Sequence, residues 1–118
     1  MTHPDRRPRV LWLIKGLGPG GAEQLLLLSA RVADHGSFAY RVAYVRPDKT
    51  HLVGEFERLG LVPELLGASG GGRLAWVRDL RRALAESDVV HAHSPVLAGV
   101  ARLLARTLPR APPRRRHD

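Results

Sequence analysis

Apolar and polar residues fall into alternating blocks along the chain, and the period of each block predicts an element. Val10-Leu-Trp-Leu-Ile14 is apolar at every position, the pattern of a central parallel strand covered on both faces, and with Arg9 it predicts a first strand over 9–14. The stretch Lys15-Gly-Leu-Gly-Pro-Gly-Gly-Ala-Glu23 then separates this run from a Leu-rich one beginning at Gln24, so a strand turns into a helix there. The leucines at 25–28 are more than one face of a surface helix holds, which predicts a largely buried helix. It is expected to stop at Asp34-His35-Gly36, with His35 in the last turn and Gly36 as a left-handed cap. Residues 38–45 predict a second strand. Thr50 is placed to cap a short helix in which Leu52, Phe56 and Leu59 share a face and which Gly60 ends. Residues 61–66 predict a third strand, confined to a sheet edge because Pro63 has no N–H for a central ladder.

Gly67-Ala-Ser-Gly-Gly-Gly72 reads as a flexible connector into a helix with Leu74, Val77, Leu80 and Leu84 at helical spacing. Residues 88–93 predict a fourth strand. Ser94 as N-cap and Pro95 at the first helical position open a last helix, with Val96, Val100, Leu103 and Leu104 on its apolar face and Pro109 at its end. Strands alternating with helices predict an α/β fold with a doubly wound, Rossmann-like parallel sheet. Right-handed crossovers give the strand order 3-2-1-4. Residues 1–8 and the Pro/Arg tail at 109–118 are expected to be disordered, which leaves one domain over 9–108.

Charge changes the picture less than its size suggests. The net charge is +8, but nearly all of it sits in Arg6, Arg7 and Arg9 and in the arginines from Arg102 to Arg116. The body between them is close to neutral, and neither cluster has base-stacking aromatics beside it, so a nucleic-acid partner is not expected. The basic ends leave room for weak contact with an anionic membrane surface. No apolar run reaches the roughly 20 residues of a membrane span, and the five apolar residues after Arg9 are too few for a signal peptide. The chain has no cysteine, hence neither a disulfide framework nor a thiol site, which fits the cytoplasm.

The strand order locates the chemistry. In such sheets ligands bind outside the carboxyl ends of the strands where the winding reverses, here between strands one and four. The glycine stretch would form one lip of that crevice, with Lys15, Gly18, Gly20, Gly21 and Glu23 as substrate contacts. Glycines there allow positive φ and close approach of a ligand, and the helix N-terminus favours an anion. His91, His93 and Ser94 would form the other lip, with His93 as the catalytic candidate. His91 and His93 are also read as packed, hydrogen-bonded imidazoles or as a metal pair, although no acidic or Cys cluster on another strand completes a metal shell. Gly16-Leu-Gly-Pro-Gly-Gly21 matches the dinucleotide pattern G-x-G-x-x-G, with Arg46 at the end of strand two as the residue to meet an NADP phosphate.

Gly18-Pro-Gly-Gly-Ala-Glu23 after an opening strand, followed by Asp88-Val-Val-His-Ala-His-Ser-Pro95 before a helix, resembles the N-terminal domain of family 4 glycosyltransferases of the GT-B fold. The resemblance runs over 9–108. It implies retaining transfer of a sugar from a nucleotide-sugar donor to an acceptor, with no essential metal and no other cofactor. It further implies that the Gly20 and Gly21 amides lie near the donor diphosphate, that His93 lies near the transferred sugar or the acceptor, and that this domain mainly holds the acceptor. Such enzymes have a longer N-terminal sheet and a second, donor-binding domain that this sequence lacks. The expectation is therefore an incomplete N-terminal half of a GT-B fold, as a truncated product, a frameshifted end or half of a split enzyme with its C-terminal donor-binding domain on a separate chain, and inactive or nearly so without that domain. A dinucleotide-binding module and a noncatalytic interaction domain using an open sheet edge are the alternatives.

Overall fold

The computed structural model describes residues 7–109. Its elements follow in strict alternation: β1 (Arg9–Ile14), α1 (Gly21–Val32), β2 (Ala39–Tyr44), α2 (Val53–Glu57), β3 (Glu64–Leu65), α3 (Ala75–Ala85), β4 (Val89–Ala92) and α4 (Pro95–Ala105). The four strands form one sheet in the order β3-β2-β1-β4, and every pairing is parallel. This is the doubly wound, Rossmann-like α/β arrangement that the alternation predicts.

Because successive residues of a strand point to opposite faces, β1 feeds two cores. On one face Val10, Trp12 and Ile14 join Val42 and Tyr44 of β2 beneath α1 and α2, where Leu26, Leu27, Ala30 and Phe56 are buried. On the other, Leu11, Leu13 and Ala43 lie beneath α3 and α4, against Leu80, Ala83, Leu84, Leu97 and Ala101. Leu11 and Leu13 have no exposure at all. That accounts for a strand apolar at every position: two helical layers need it on both sides.

Several expectations are corrected. α1 buries Leu26 and Leu27 but leaves Leu25 and Leu28 more than half exposed, so the leucine run is not a buried helix all round. Gly36 does not take positive φ and does not cap α1. The helix ends at Val32 with Ala33 extended, and His35, beyond its last turn, bonds back through Nε2 to the Ala30 carbonyl at 2.8 Å. Leu52, not Thr50, is the N-cap of α2 and no side chain caps it, whereas Gly60 does end that segment at φ +79°. On α3, Leu74 is exposed at the N-cap instead of sharing the apolar face. On α4 the buried positions are Leu97 and Ala101, while Val96 and Leu103 face solvent.

The expectation of disordered ends falls mainly on residues 1–6 and 110–118, outside the described residues. Arg7 and Pro8 are described and tied down. The Pro8 carbonyl accepts from the Ala39 amide at 2.9 Å, and the Arg7 guanidinium donates to the His35 carbonyl at 2.6 Å. Among the described residues no helix is long and apolar enough to cross a membrane.

Candidate functional site at the carboxyl ends of β1 and β4

The glycine loop is held from the β2 side. The Lys15 carbonyl accepts from the Val45 and Arg46 amides at 3.0 and 2.8 Å, Leu17 donates to the Lys49 carbonyl at 2.8 Å, and Leu52 donates to the Leu17 carbonyl at 2.9 Å. Leu17, with no exposure, pins the loop to the core. Close approach accounts for Gly16 and Gly20, and left-handed backbone for none of the loop's glycines, since Gly16, Gly18, Gly20 and Gly21 do not take positive φ. A Cβ on Gly16 would lie 2.7 Å from the Lys49 Cβ, and one on Gly20 would lie 2.6 Å from the Glu23 carboxylate, while one on Gly21 would meet nothing within 4 Å. The expectation that these glycines are needed for positive φ is thereby corrected.

α1 begins at Gly21, so its unpaired N–H groups aim at the loop. Part of that anion seat is already taken. Glu23 turns back so that its Oε2 accepts from the Gly20 amide at 3.0 Å, a negative group at the positive end of the helix. Lys15, Gly18, Gly20 and Glu23 line a cavity of about 310 Å³ together with Arg46 and Lys49 from the β2–α2 connection. Lys49 is the contact that sequence reasoning missed; its only signal was its place just past the second strand. Arg46 grips Asp48 through two bonds of 3.2 and 2.8 Å, which holds the Asp48 carboxyl below its usual range and engages two of the guanidinium nitrogens.

The second lip comes from β4. His91 stands in register with Trp12 of β1, and the His93 amide donates to the Leu13 carbonyl at 2.8 Å, which fixes β4 beside β1 up to its last residue. Both imidazoles are exposed and line a groove of about 450 Å³ with Val89, Trp12, Leu26 and Tyr40. Trp12 and Tyr40 stack across it with ring centres 4.3 Å apart. Partial burial, and secondarily the neighbouring His91, push the His93 imidazole below its ordinary pKa of 6.5, so near neutrality it is an uncharged acceptor and donor. Ser94 is the N-cap of α4 by backbone position, accepting from Ala98 at 2.9 Å through its carbonyl, but its hydroxyl makes no capping bond. Among the described residues no group of three or more His, Cys, Asp or Glu side chains is arranged to hold a metal ion.

The glycine loop follows β1 and His93 and Ser94 follow β4, so these stand at the carboxyl end of the sheet on adjacent strands, whereas His91 lies within β4 opposite Trp12. The fold gives the two lips separate hollows, however: the glycine cavity opens toward Arg46 and Lys49, and the histidine groove runs beneath α1. The Gly67–Gly72 connector is also more than a flexible link. Gly67, Gly70, Gly71 and Gly72 all take positive φ, Arg78 donates to the Gly70 carbonyl at 2.8 Å, and Asp79 accepts from the Gly67 amide at 2.8 Å. Compared with known proteins, the chain matches no family model, and no curated protein or solved structure is significantly similar to it.

Proposed function

We propose that this is the acceptor-side domain of a retaining, GT-B-type glycosyltransferase of family 4 character, working with a second α/β domain that holds the donor nucleotide. The observation that carries the reading is the location of the glycine loop and His93 at the carboxyl ends of β1 and β4, the two strands between which the winding reverses. The motif pair that bears the family resemblance falls on these two strand ends.

In this reading the sugar's bond to the donor diphosphate breaks, a bond to an acceptor hydroxyl oxygen forms, and the hydroxyl proton passes to an oxygen of the departing diphosphate. The leaving diphosphate carries negative charge, and the amides at the start of α1 with the ammonium groups of Lys15 and Lys49 supply the matching field. Because Glu23 already occupies the Gly20 amide, the diphosphate would sit on Gly21 and the amides after it. An uncharged His93 suits a hydroxyl of the sugar or the acceptor better than a phosphate. Half-buried Tyr40, backed by the buried Trp12 ring on which it stacks, offers an apolar surface beside the histidines to an acceptor. A dinucleotide reading is less well supported, because α1 opens only at Gly21 and the Arg46 fork is engaged by Asp48.

The test is a set of titrations followed by NMR of the backbone amides. UDP, GDP and inorganic pyrophosphate should move the Gly21, Ala22 and Lys49 resonances, and Lys49→Ala should weaken binding. Clear preference for NAD or NADP, or shifts confined to other surfaces, would displace this reading. Transfer from nucleotide sugars with a GT-B donor domain supplied in trans should then fall on His93→Ala.

A further inference from the structure

The two edges of the sheet are built differently. At β3 the edge strand has two residues, Pro63 precedes it, and Arg41 bridges Glu64 at 2.8 Å and Glu86 at 3.4 Å, so charge and proline close that side. β4 pairs with β1 and, among the described residues, carries no such guard. Its residues are Val89, Val90, His91 and Ala92, with Val89 43% exposed. A hollow lies on each of its faces: the histidine groove on the α1 side, and one of about 340 Å³ lined by Val90, Ala92, Ala98, Ala101 and Ala105 on the α4 side.

We propose that two copies of this chain associate through β4, the strands pairing antiparallel about a two-fold axis normal to the sheet, with α4 packing against its copy across the same axis. The hydrogen-bonding groups select the register. His93 donates to the Leu13 carbonyl, so by the alternation of a parallel ladder the main-chain groups of His91 and His93 turn toward β1, and those of Val90 and Ala92 turn outward. A two-fold normal to the sheet keeps each face on its own side. Val90 opposite Ala92 of the copy then brings every outward N–H and C=O of both residues into a bond. His91 lies opposite its own counterpart in this register, and Val89 lies opposite His93.

The helices fit the same axis. α4 shares one apolar core with Leu11 and Leu13 of β1 and with Val90 and Ala92 of β4. With strands about 4.8 Å apart, an α4 axis standing over the gap between β1 and β4 comes to roughly 10 Å from its copy. Helices pack at about 8–10 Å. Arg81 of α3 holds Thr107 at 2.9 Å on one flank of α4; the opposite flank, facing the open edge, carries Ala98, Ala101 and Ala105, small enough for close approach. Arg102 borders this hollow, and the chain carries +8, so salt should strengthen the association by screening like charges. The proposal is independent of sugar transfer.

The experiment is sedimentation velocity of the full chain over a wide concentration range at low and high salt, paired with cysteine cross-linking. The chain has no cysteine, so His91→Cys and His93→Cys each introduce a single thiol. In the proposed register the two residues 91 face each other as a non-hydrogen-bonded pair with Cα atoms about 4.5 Å apart. That spacing is inside the disulfide range of about 4.4–6.8 Å. The two residues 93 are offset by roughly 13 Å along the strands. Expected are a dimer that grows with concentration and salt, oxidation of His91→Cys but not His93→Cys to a covalent dimer, and loss of the dimer in Val90→Pro, which removes an outward N–H without touching the β1 ladder. A monomer at every concentration and salt with no His91→Cys cross-link overturns the proposal. So does a dimer that survives a folded Val90→Pro, or one in which His93→Cys cross-links as readily as His91→Cys.

Discussion

The Glu23 carboxylate accepts a hydrogen bond from the Gly20 amide at 3.0 Å, so the helix launched by the glycine loop carries its own negative group at its positive end. A phosphate entering the loop competes with that carboxylate for amides and for field. Glu23→Ala should therefore have two opposite effects. Loss of the helix-terminal charge should destabilise the fold by about 0.5–1 kcal/mol. Binding of inorganic pyrophosphate should become tighter. Chemical denaturation and calorimetric titration of the same variant read both; weaker pyrophosphate binding would mean that Glu23 organises the loop for the anion instead of competing with it.

The glycines of the loop separate into those pressed by a neighbour and one that is not. A Cβ on Gly16 would lie 2.7 Å from the Lys49 Cβ, and the surrounding backbone bonds from Leu17 to Lys49 leave little room to yield. Gly16→Ala should cost about 1–3 kcal/mol, the range for overpacking. Gly21 opens α1 with nothing within 4 Å of its added Cβ. Gly21→Ala should be neutral or stabilising by up to about 1 kcal/mol, since alanine is the better helix former. Thermal melts of the two variants check the contrast, and equal destabilisation would contradict the packing described at Gly16.

How far the sequence foretold this arrangement depended on whether the governing interaction was local. Strand β1, the opening of α1 at Gly21, Pro95 at the start of α4 and the strand order follow from runs of apolar residues, punctuating glycines and the handedness of crossovers, all readable along the chain. What escaped it depends on distant partners. Nothing near Gly16 in sequence announces Lys49, and nothing within the leucine run tells that only Leu26 and Leu27 meet the sheet. On α4 the burial of Leu97 and Ala101 in place of Val96 and Leu103 is a rotation about the helix axis that depends on where α3 lies. At the candidate site the residue types at both lips were legible, whereas their division into two hollows was set by the β2–α2 connection and by the Trp12–Tyr40 stack.

The connector before α3 is fastened by its glycines. Gly71 has φ +111°, and a Cβ there would lie 2.5 Å from the Arg78 guanidinium that donates to the Gly70 carbonyl. Gly71→Ala should destabilise the fold by about 1–3 kcal/mol, the cost of a left-handed backbone that other residues resist. Most of that cost is backbone, because the guanidinium is the far end of a flexible side chain and can give way at little cost. Adding Arg78→Ala should recover the clash alone, so the double variant stays less stable than Arg78→Ala by itself. Urea denaturation of the four-membered cycle measures the split; full recovery would show that the backbone conformation costs nothing.

Acid should weaken the fold in two separate windows. Partial burial, and then the neighbouring His91, lower the His93 pKa below 6.5. At pH above 6.5 the imidazole is neutral in both folded and unfolded chains and contributes no pH dependence. As pH falls below 6.5 the unfolded chain takes up the proton first, so stability declines until folded His93 protonates as well. His93→Gln should flatten this part of the profile, and His91→Gln should move the His93 midpoint upward in an NMR titration of the ring protons. Asp79 behaves in the opposite sense of charge. The Gly67 amide, with Arg78 and Arg82 beside it, holds its carboxyl below 3.8, so its contribution is intact above 3.8 and is lost as pH falls through the folded value. Asp34, through Ser37, and Asp48, through Arg46, are lowered in the same way, so Asp79→Asn should remove only part of this second decline. Urea melts taken across the acid range would show two steps, and a His93→Gln profile that kept the first step would place its origin in another group.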